Sequence, residues 1–482
     1  MLDLRPVGYV IGLLLLALGA SMALPMTADL MQRNGHWPVF AEVGLLTMLV
    51  GMSVSLATSN AVRDRLSVQQ TFLLTVGVWV FLPVFAAFPF VVGATGLGYT
   101  DAFFEAMSGF TTTGATVIVG LDDLPRGILL WRGLLQWFGG IGIVVVAMAF
   151  LPELRVGGMQ IFRSEAFDTG GKVLPRAAQI ASTISVVYVA MTVACAFAYA
   201  GAGMGTFDAV VHAMTTVSTG GFANYDSSFA RFQGTHEYIA TAFMLAAAAP
   251  FVLYVQLVNG RGTPLIHDSQ LRAFLGTAAV LMATAAITLI LVDGFAPEQA
   301  LREAMFNIAS ILTGTGYASV DYMQWGGFLI ALFFFCGLIG GCAGSTSCSV
   351  KIFRYQILLA AARAQLRQIR SPHGIFRPRY AGRTVEPDVL SSVMAFFVLF
   401  VVTLGVSSVL LAMTGLDMVT SVSGAATAVA NIGPGLGSII GPAGNFAPIS
   451  DAAKWILAAT MLIGRLELVV VYVIFTRQFW AV

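Results

Sequence analysis

The sequence predicts an all-α membrane protein that crosses the bilayer many times. Of its 482 residues, 57% are hydrophobic and only 10% are charged, whereas a soluble domain carries about 25% charged residues. The mean hydropathy is +0.84. Several stretches of about 17–25 residues have almost no charge, which is the length that crosses a hydrocarbon core about 30 Å thick. A repeated segment and an uneven distribution of cations complete this prediction.

Two apolar spans open the chain, at residues 7–24 and 38–58. The first leads directly into the second, without a small-residue cleavage site before a polar domain, so we expect no removable signal peptide. Each later unit contributes two more spans and one short helix. The predicted total is ten full spans and four half-spans.

Four segments share a Thr, Ser and Gly cluster at the end of a short helix-prone stretch. Residues 101–114 align without a gap with residues 208–221, and Phe104–Gly114 aligns in the same way with Phe306–Gly316. The fourth segment, 417–433, is the most divergent. An apolar span precedes and follows each cluster, which indicates internal repeats. We therefore predict a two-helix extension at 1–66 and repeats at 67–152, 153–260, 261–387 and 388–482.

The cations predict the orientation. If the N-terminus is cytoplasmic, 18 of the 25 Lys and Arg residues fall on the cytoplasmic side, as the positive-inside rule requires. The C-terminus is then cytoplasmic as well, and all four clusters lie at the outer face. Arg465 lies inside a span, and the six cations on the outer side are Arg33, Arg126, Arg132, Arg231, Arg302 and Lys454.

Backbone that is neither helix nor barrel lies at membrane depth only where it is buried or lines a watery cavity. One cluster would be read as an ordinary turn between helices, but four equivalent copies on one face indicate a shared axial pore. Glycine allows successive carbonyls to turn to one side, and rings of carbonyl oxygens can replace the water shell of an alkali cation. The chain has no Ser-His-Asp set, paired carboxylates or phosphate loop, so we do not expect an enzyme.

The four loops Thr-Thr-Thr-Gly-Ala, Ser-Thr-Gly-Gly-Phe, Thr-Gly-Thr-Gly-Tyr and Asn-Ile-Gly-Pro-Gly resemble the filter loops of the Trk/Ktr/HKT superfamily of potassium transporters. The two extra N-terminal transmembrane helices resemble its TrkH/TrkG branch, and the resemblance covers essentially the whole chain. It implies four helix–pore helix–loop–helix repeats around one pore and potassium uptake across a bacterial inner membrane. The implied filter residues are Thr111, Thr112, Thr113, Gly114, Ser218, Thr219, Gly220, Gly221, Thr313, Gly314, Thr315, Gly316, Asn431, Ile432 and Gly433.

The first filter glycine bears on selectivity. Some plant members of the superfamily have Ser at this position and favour sodium, so Gly114 implies potassium. Gly314 stands where the first repeat has Thr112. That replacement removes a hydroxyl and adds backbone freedom, and we expect the third loop to bind the ion least firmly.

The segment 336–354 interrupts the second span of the third repeat with glycine and serine, which weaken a helix. A kink that permits close packing is one interpretation. The resemblance implies instead an intramembrane loop that opens and closes the pore. Family members tend to keep glycines up to the lysine, whereas this chain has Ser-Cys-Ser at 347–349. The implied gate residues on this segment are Gly340, Gly341, Gly344, Ser345, Thr346, Ser347 and Lys351.

Arg465 is an intramembrane cation, which is usually functional. A structural pair with Glu467 is one interpretation. The sequence Gly-Arg-Leu-Glu resembles the pore arginine of the family, which implies a gate residue whose charge raises a barrier to cations.

Residues 351–383 carry eight cations and no acid. Anchoring to anionic lipid is one use for such a segment, and the resemblance implies another. Members of this branch are homodimers that sit on a cytosolic TrkA-like ring with nucleotide-binding domains. This chain has no nucleotide motif, so a nucleotide response would come from that partner.

We expect K⁺ as the transported ion, no resident cofactor or metal, and no nucleic-acid partner. Cys336, Cys342 and Cys348 recur every six residues, which places successive thiols on different faces of a helix. A secondary transporter that couples sodium or protons to a solute is the alternative function. That class shows inverted repeats and broken helices near the midplane, whereas these repeats run parallel.

Overall fold

The structure, a computed structural model, describes residues 2–61, 66–150, 154, 156–162, 173–260 and 262–481. The predicted repeat boundaries at 152/153 and 261 lie outside the described residues. Six of the cations used for the orientation also lie outside them: Arg63, Arg65, Arg155, Arg163, Lys172 and Arg261.

The N-terminal extension consists of α1 (Arg5–Ser21), α2 (Ala23–Gln32) and α3 (Trp37–Thr58), followed by the 3₁₀ turn Ser59–Ala61. Glycines bring α1 and α3 into backbone contact. A Cβ added to Gly12 would lie 2.8 Å from the carbonyl oxygen of Gly51, and one added to Gly19 would lie 2.7 Å from that of Gly44. Small residues permit such close packing between membrane helices.

The first repeat begins at a capping box. The Gln70 amide donates to Ser67 Oγ at 3.2 Å and the Ser67 amide donates to Gln70 Oε1 at 2.8 Å, which satisfies two free amides at the helix start. The helices are α4 (Val68–Ala86), α5 (Phe88–Val92), α6 (Tyr99–Phe110) and α7 (Arg126–Val145), which continues as the π-helical turn Val146–Phe150. The 3₁₀ turn of this repeat is Leu121–Asp123, and a further 3₁₀ turn, Met159–Phe162, lies at the start of the second predicted repeat.

The second repeat contains a sharp bend. Its helices are α8 (Val173–Gly201), α9 (Thr206–Val217), α10 (Thr235–Ala247) and α11 (Phe251–Val258), with the 3₁₀ turn Ser228–Arg231. The axes of α10 and α11 are bent by 90°. Pro250 lies in this break and has no amide hydrogen with which to continue the helix.

The third repeat is interrupted in its second span. Its helices are α12 (Thr263–His267), α13 (Ser269–Leu291), α14 (Pro297–Thr313), α15 (Gly326–Ile339) and α16 (Ile352–Arg370), with the 3₁₀ turn Tyr322–Gln324. Residues 340–351, which we call the inner loop, separate α15 from α16. After α16, strands β1 (Arg379–Tyr380) and β2 (Arg383–Thr384) pair antiparallel, with Arg379 opposite Thr384.

The fourth repeat breaks near its end. Its helices are α17 (Pro387–Met413), α18 (Met418–Ala430), α19 (Gly437–Ile440), α20 (Asp451–Arg465), α21 (Val469–Ile474) and α22 (Arg477–Trp480). Glu467 and Leu468, between α20 and α21, have φ angles of +61° and +52°. Left-handed backbone does not continue an α-helix.

The prediction of ten full spans is wrong for unbroken helices. Among the described residues, seven helices are long and apolar enough to cross a membrane, or eight if α10 and α11 count as one span. The second helix of the second, third and fourth repeats is broken, whereas α7 of the first repeat is not. The sequence analysis predicted the interruption of the third repeat from its glycines and serines, but it did not predict the breaks of the second and fourth repeats. The predicted all-α membrane class is confirmed.

The four short helices α6, α9, α14 and α18 form the centre of the molecule. Their last residues are nearly all buried, and the core of large side chains around them includes Phe104, Trp131 and Tyr317. Each short helix therefore delivers the loop that follows it to the interior.

Candidate functional site

The loops that follow the short helices share one backbone turn. We call residues 111–114, 218–221, 313–316 and 431–433 the central loops. In each of them, one amide donates to the carbonyl three residues earlier: Thr112 to Gly109 at 2.9 Å, Thr219 to Thr216 at 3.0 Å, Gly314 to Ile311 at 3.2 Å and Asn431 to Ala428 at 3.3 Å.

The donor residue of each turn is left-handed. Its φ is +49° at Thr112, +50° at Thr219, +80° at Gly314 and +52° at Asn431. This conformation costs about 1–2 kcal/mol for a residue with a Cβ. The surrounding packing therefore holds three of the four loops in a strained shape, and Gly314 adopts that shape without the penalty.

The glycines that end the loops fit against the backbone of the next loop. A Cβ added to Gly114 would overlap the carbonyl oxygen of Gly220, and one added to Gly221 would overlap that of Thr315. Both glycines are left-handed, with φ of +83° and +77°. Only glycine combines that conformation with that proximity.

The contacts between the third, fourth and first loops close the ring. A Cβ on Gly316 would lie 2.7 Å from the Gly433 amide nitrogen, and one on Gly433 would lie 3.0 Å from the Gly114 carbonyl oxygen. The four loops thus follow one another in chain order around one centre. Gly433 differs from the other three glycines because its φ is not left-handed, and Pro434 follows it directly.

Hydroxyl pairs support two of the loops from behind. Thr111 Oγ1 lies 2.7 Å from Thr113 Oγ1, and Thr313 Oγ1 lies 2.8 Å from Thr315 Oγ1. Thr111 also donates to the carbonyl of Met107 at 2.7 Å. These side chains are buried, so their hydroxyls fix the loops and their backbone carbonyls remain for other partners.

Two amide side chains brace the ring: Asn431, which the sequence analysis named as a filter residue, and Gln136, which it missed. Gln136 of α7 donates through Nε2 to the Gly220 carbonyl at 2.6 Å and accepts from the Phe222 amide at 2.9 Å. Asn431 donates to Thr113 Oγ1 at 3.1 Å and to the Met461 carbonyl at 2.9 Å. A lone Gln within an apolar span was the available signal for Gln136.

A cavity of about 180 Å³ lies on one side of the ring and is lined by all four terminal glycines. Arg132 also lines it, but its charge is neutralised by Glu105, with Nε 2.8 Å from Oε1. The Thr116 hydroxyl and the Val117 amide also donate to Glu105. Among the described residues that line this cavity, no cation is therefore left without an anionic partner.

The inner loop covers the opposite side of the ring. Ser347 Oγ donates to the carbonyl of Thr313 at 2.7 Å and accepts from the Gly341 amide at 2.9 Å. Cys348 Sγ lies 3.9 Å from Thr112 Oγ1, and a Cβ on Gly314 would lie 3.8 Å from that of Cys348. The inner loop thus touches the first and third central loops directly.

The bend between α10 and α11 anchors the inner loop. The Thr346 hydroxyl donates to the Ala247 carbonyl at 3.0 Å, the Cys342 amide donates to Ala248 at 3.0 Å, and the Phe251 amide donates to Gly344 at 2.9 Å. Glycines permit the fold of the loop, since φ is +78° at Gly340 and +71° at Gly344. Six of the predicted gate residues and Lys351 lie on this loop, and the remaining one, Arg465, lies against it.

Arg465 lies under the ring and is 3% exposed. Its guanidinium donates to the carbonyls of Thr346 at 3.4 Å and Gly139 at 3.2 Å, and to Cys348 Sγ. Its Nε is buried without a hydrogen-bond partner in the described part of the chain. The ring of Trp79 packs 5.6 Å from its Cζ atom. Arg465 therefore ties the inner loop to α7 instead of pairing with Glu467.

Glu467 has other partners. Lys351 Nζ lies 2.7 Å from Glu467 Oε1, and Arg354 donates to Glu467 Oε2. Arg354 also donates to the Gly157 carbonyl at 2.9 Å. All three charged side chains are buried, so this cluster joins the end of the inner loop to the break between α20 and α21. The sequence analysis named Lys351 as a gate residue and Glu467 as a possible partner of Arg465, but it did not predict that Lys351 and Arg354 pair with Glu467.

The fold and the site together define an α-helical membrane protein in which four equivalent loops meet at one centre and one further loop covers them. The family model described as TrkH, cation transport protein, matches residues 36–480. The chain belongs to the TrkH family, and the resemblance proposed from the sequence is confirmed.

Named relatives align over nearly the full length. The chain is 41% identical over 478 residues to the Trk system potassium uptake protein TrkI of Halomonas elongata, covering 98% of this chain and 96% of that protein. It is 34% identical over 482 residues to the Trk system potassium uptake protein TrkH of Escherichia coli K12, covering 99% of each. The crystal structure of the potassium transporter TrkH from Vibrio parahaemolyticus matches with a TM-score of 0.90 at 32% identity, over 99% of this chain and 100% of that one.

Proposed function

We propose that this chain carries potassium into the cell across a bacterial inner membrane, as the membrane subunit of a Trk uptake system. The relatives named above are potassium uptake proteins. The observation that carries the proposal is the closed ring of four loops, in which Gly114, Gly221 and Gly316 have no room for a Cβ. Such a ring presents backbone oxygens around one axis, which is what a dehydrated alkali cation requires.

In this proposal the central loops form the selectivity filter. Potassium enters from the outer cavity, and the loop carbonyls replace its water. The carbonyl oxygen of Gly220 already accepts a hydrogen bond from Gln136, so this oxygen of the second loop is less available to coordinate an ion. The third loop, which we expected to bind least firmly, loses a hydroxyl at Gly314 but is the loop with an unstrained turn.

The inner loop and Arg465 form the gate in this proposal. Arg465 places a positive charge on the axis beneath the ring, which repels a cation leaving the filter. Opening requires Arg465 to leave the carbonyl of Thr346 and the thiol of Cys348. The membrane potential supplies about 2.3 kcal/mol per charge per 100 mV to drive the ion inward.

Partners would act from the cytoplasmic side. Helix α16 begins at Ile352, has the buried Arg354 in its first turn and continues into exposed turns with Arg363, Arg367 and Arg370. We propose that the chain forms a homodimer with cytoplasmic termini, and that a TrkA-like nucleotide-binding ring contacts this basic helix. Contact with anionic lipid is the alternative use of the same charges.

Reconstituted liposomes test the proposal. Rubidium and potassium uptake is measured with an imposed voltage or an imposed pH gradient. We expect voltage alone to drive uptake, whereas uptake that follows only a proton or sodium gradient would favour the secondary-transporter alternative. Gly114→Ser should admit more sodium relative to potassium, and Gly276→Ala is the control because a Cβ there meets nothing within 4 Å. An unchanged ion preference in Gly114→Ser would contradict the filter assignment.

A further inference from the structure

A second, larger cavity lies between the N-terminal extension and the first repeat. Its volume is about 620 Å³, within the range of about 300–1,000 Å³ typical of small-molecule sites. Helices α1, α4 and α7 supply most of its wall, and Phe110 and Ser185 complete it. We call it the lateral cavity.

The lateral cavity is apolar and reaches the outer surface of the helices. None of its described lining residues is charged, and the hydroxyl of Thr75 is already satisfied by the Thr71 carbonyl at 2.8 Å. Ala17 is exposed and Leu14, Val78 and Ile141 are half-buried, so the cavity opens laterally between the helices. Those helices belong to three of the apolar spans, which places the opening in the hydrocarbon layer.

Arg465 lies behind the inner wall of the lateral cavity, in contact with two residues of that wall. Trp79 and Gly139 both line the cavity. On its other side, Trp79 packs 5.6 Å from the Arg465 guanidinium, and the carbonyl of Gly139 accepts from Arg465 at 3.2 Å. A single layer of protein therefore separates the contents of this cavity from the cation beneath the ring.

We propose that an acyl chain of a bilayer lipid occupies the lateral cavity and holds Trp79 and α7 against Arg465. Water is a poor occupant because the wall offers few polar partners, and a void would forfeit the dispersion contacts of its lining. An acyl chain at the same depth already lies in an apolar environment, so it can enter the cavity without being transferred out of water. The lipid-facing surface of α1, α4 and α7 is continuous with the opening, so the occupant comes from the surrounding bilayer.

Quenching by lipids with brominated acyl chains tests this occupancy without measuring transport. The protein is reconstituted in phosphatidylcholine with ordinary or brominated chains, and the contribution of each tryptophan is the difference between the full chain and its Trp→Phe variant. Trp79 is only 3% exposed and Trp131 is 0% exposed, whereas Trp455 is 44% exposed. We expect bromine to quench Trp79 nearly as strongly as Trp455 and to leave Trp131 unquenched.

Trp79 emission that is quenched no more than that of Trp131 overturns the proposal. The same result is expected if a side chain of a second copy fills the cavity, so that outcome also counts against a lipid. Ala17→Phe and Val78→Phe add side-chain volume to the cavity and should abolish the quenching of Trp79. The control is Val406→Phe, which lies in a separate cavity of about 370 Å³ between α17 and α20 and should leave Trp79 quenched.

The effect on Arg465 rests on the proposed transport function and has its own readout. Potassium uptake by the unmodified chain should change when acyl chains are shortened or branched, and uptake by Val78→Phe should lose that dependence. An equal dependence in both proteins would overturn the positioning role of the lipid. Absence of uptake in every lipid would count against the transport function, whereas the quenching result would still decide whether the cavity is occupied.

Discussion

The two layers of the centre are organised differently. In the outer layer, four loops repeat the same left-handed turn and each contacts the next. In the inner layer, the second helices of the repeats all differ: α7 has no break, α10 and α11 are bent, the inner loop interrupts the third, and the fourth breaks at Glu467. Within the residues that the structure describes, the third repeat alone supplies an inner loop.

In the proposed function, this difference separates two tasks. An ion that is coordinated from all sides needs equivalent ligands, which the repeat symmetry of the outer layer would supply. A gate that moves aside would need to lie on one side of the axis, with a fixed wall opposite, and the inner layer is asymmetric in this way. We therefore expect variants in the outer layer to alter ion binding, and with it uptake or ion preference, and variants in the inner layer to alter the rate or the stability.

The largest effect is expected in the inner layer, at Glu467. Glu467→Gln leaves Lys351 and Arg354 buried without an anion, and removal of one member of a buried ion pair costs about 3–5 kcal/mol. We expect a clear loss of thermal stability in detergent. Glu298→Gln is the control, because its carboxylate is 67% exposed beside Arg302 and such surface pairs contribute about 0–1 kcal/mol. Equal losses in the two variants would contradict the structural role of Glu467.

The terminal glycines Gly221 and Gly433 of the central loops should differ in how well they tolerate replacement by alanine. Gly221→Ala places a Cβ on the Thr315 carbonyl at a left-handed φ of +77°, which costs about 1–3 kcal/mol. Potassium uptake should fall by about tenfold or more, since 1.4 kcal/mol corresponds to tenfold. Gly433→Ala should be milder, because its Cβ would lie 3.0 Å from the Gly114 carbonyl oxygen without a left-handed φ. Equal losses of rubidium uptake in the two variants would show that the backbone of the fourth central loop is as tightly packed as that of the second.

Removal of the cation beneath the ring should raise the rate and leave the ion preference unchanged. We expect Arg465→Ala to increase rubidium uptake by about tenfold, equivalent to about 1.4 kcal/mol of barrier, because the positive charge is lost and the inner loop loses its tie to α7. Arg126→Ala removes an exposed cation and should have little effect. Uptake by Arg465→Ala at or below the level of the unmodified chain would make Arg465 only structural.

The smallest effect concerns the start of the fourth short helix. Asp417 caps α18, and hydrogen bonds from the Thr420 hydroxyl at 2.6 Å and the Thr420 amide at 3.0 Å hold the pKa of Asp417 below its ordinary value. Because the folded-state pKa is lowered, the stabilisation is present at neutral pH and is lost as pH falls through that pKa. Asp417→Asn keeps an acceptor but does not titrate. We expect it to reduce slightly the acid-induced fall of the unfolding temperature, and an identical fall would show that the cap contributes nothing measurable.

The sequence predicted the outer layer better than the inner one. The outer loops could be found because they repeat, so an ungapped alignment of residues 101–114 with 208–221 located them. The exception is Gly433, whose position was predicted but whose backbone differs. Pro434 follows Gly433 directly and restricts its backbone conformation, so the sequence did carry a signal of this difference.

The inner layer was only partly predictable. The glycine-rich interruption and the intramembrane Arg465 stand out in any apolar span. The partners of Glu467 do not, because Lys351 and Arg354 lie 116 and 113 residues away in sequence and no periodicity connects them. The bend before Phe251 was also missed, although Pro250 marked it. Which single polar groups pair depends on how whole helices pack, and the residue pattern of one sequence does not determine that packing.

The bond between Asn431 and Thr113 has a consequence for how the protein is made. These side chains join the fourth loop to the neighbouring first loop, where the ring closes, although 318 residues separate them in sequence. The ribosome synthesises Thr113 long before Asn431. The first central loop therefore cannot make this contact until the fourth repeat has been synthesised and inserted. Contacts that are so distant in sequence form slowly. A chain that stops before the fourth repeat would lack the loop that joins the third loop to the first, so its ring of central loops would stay open.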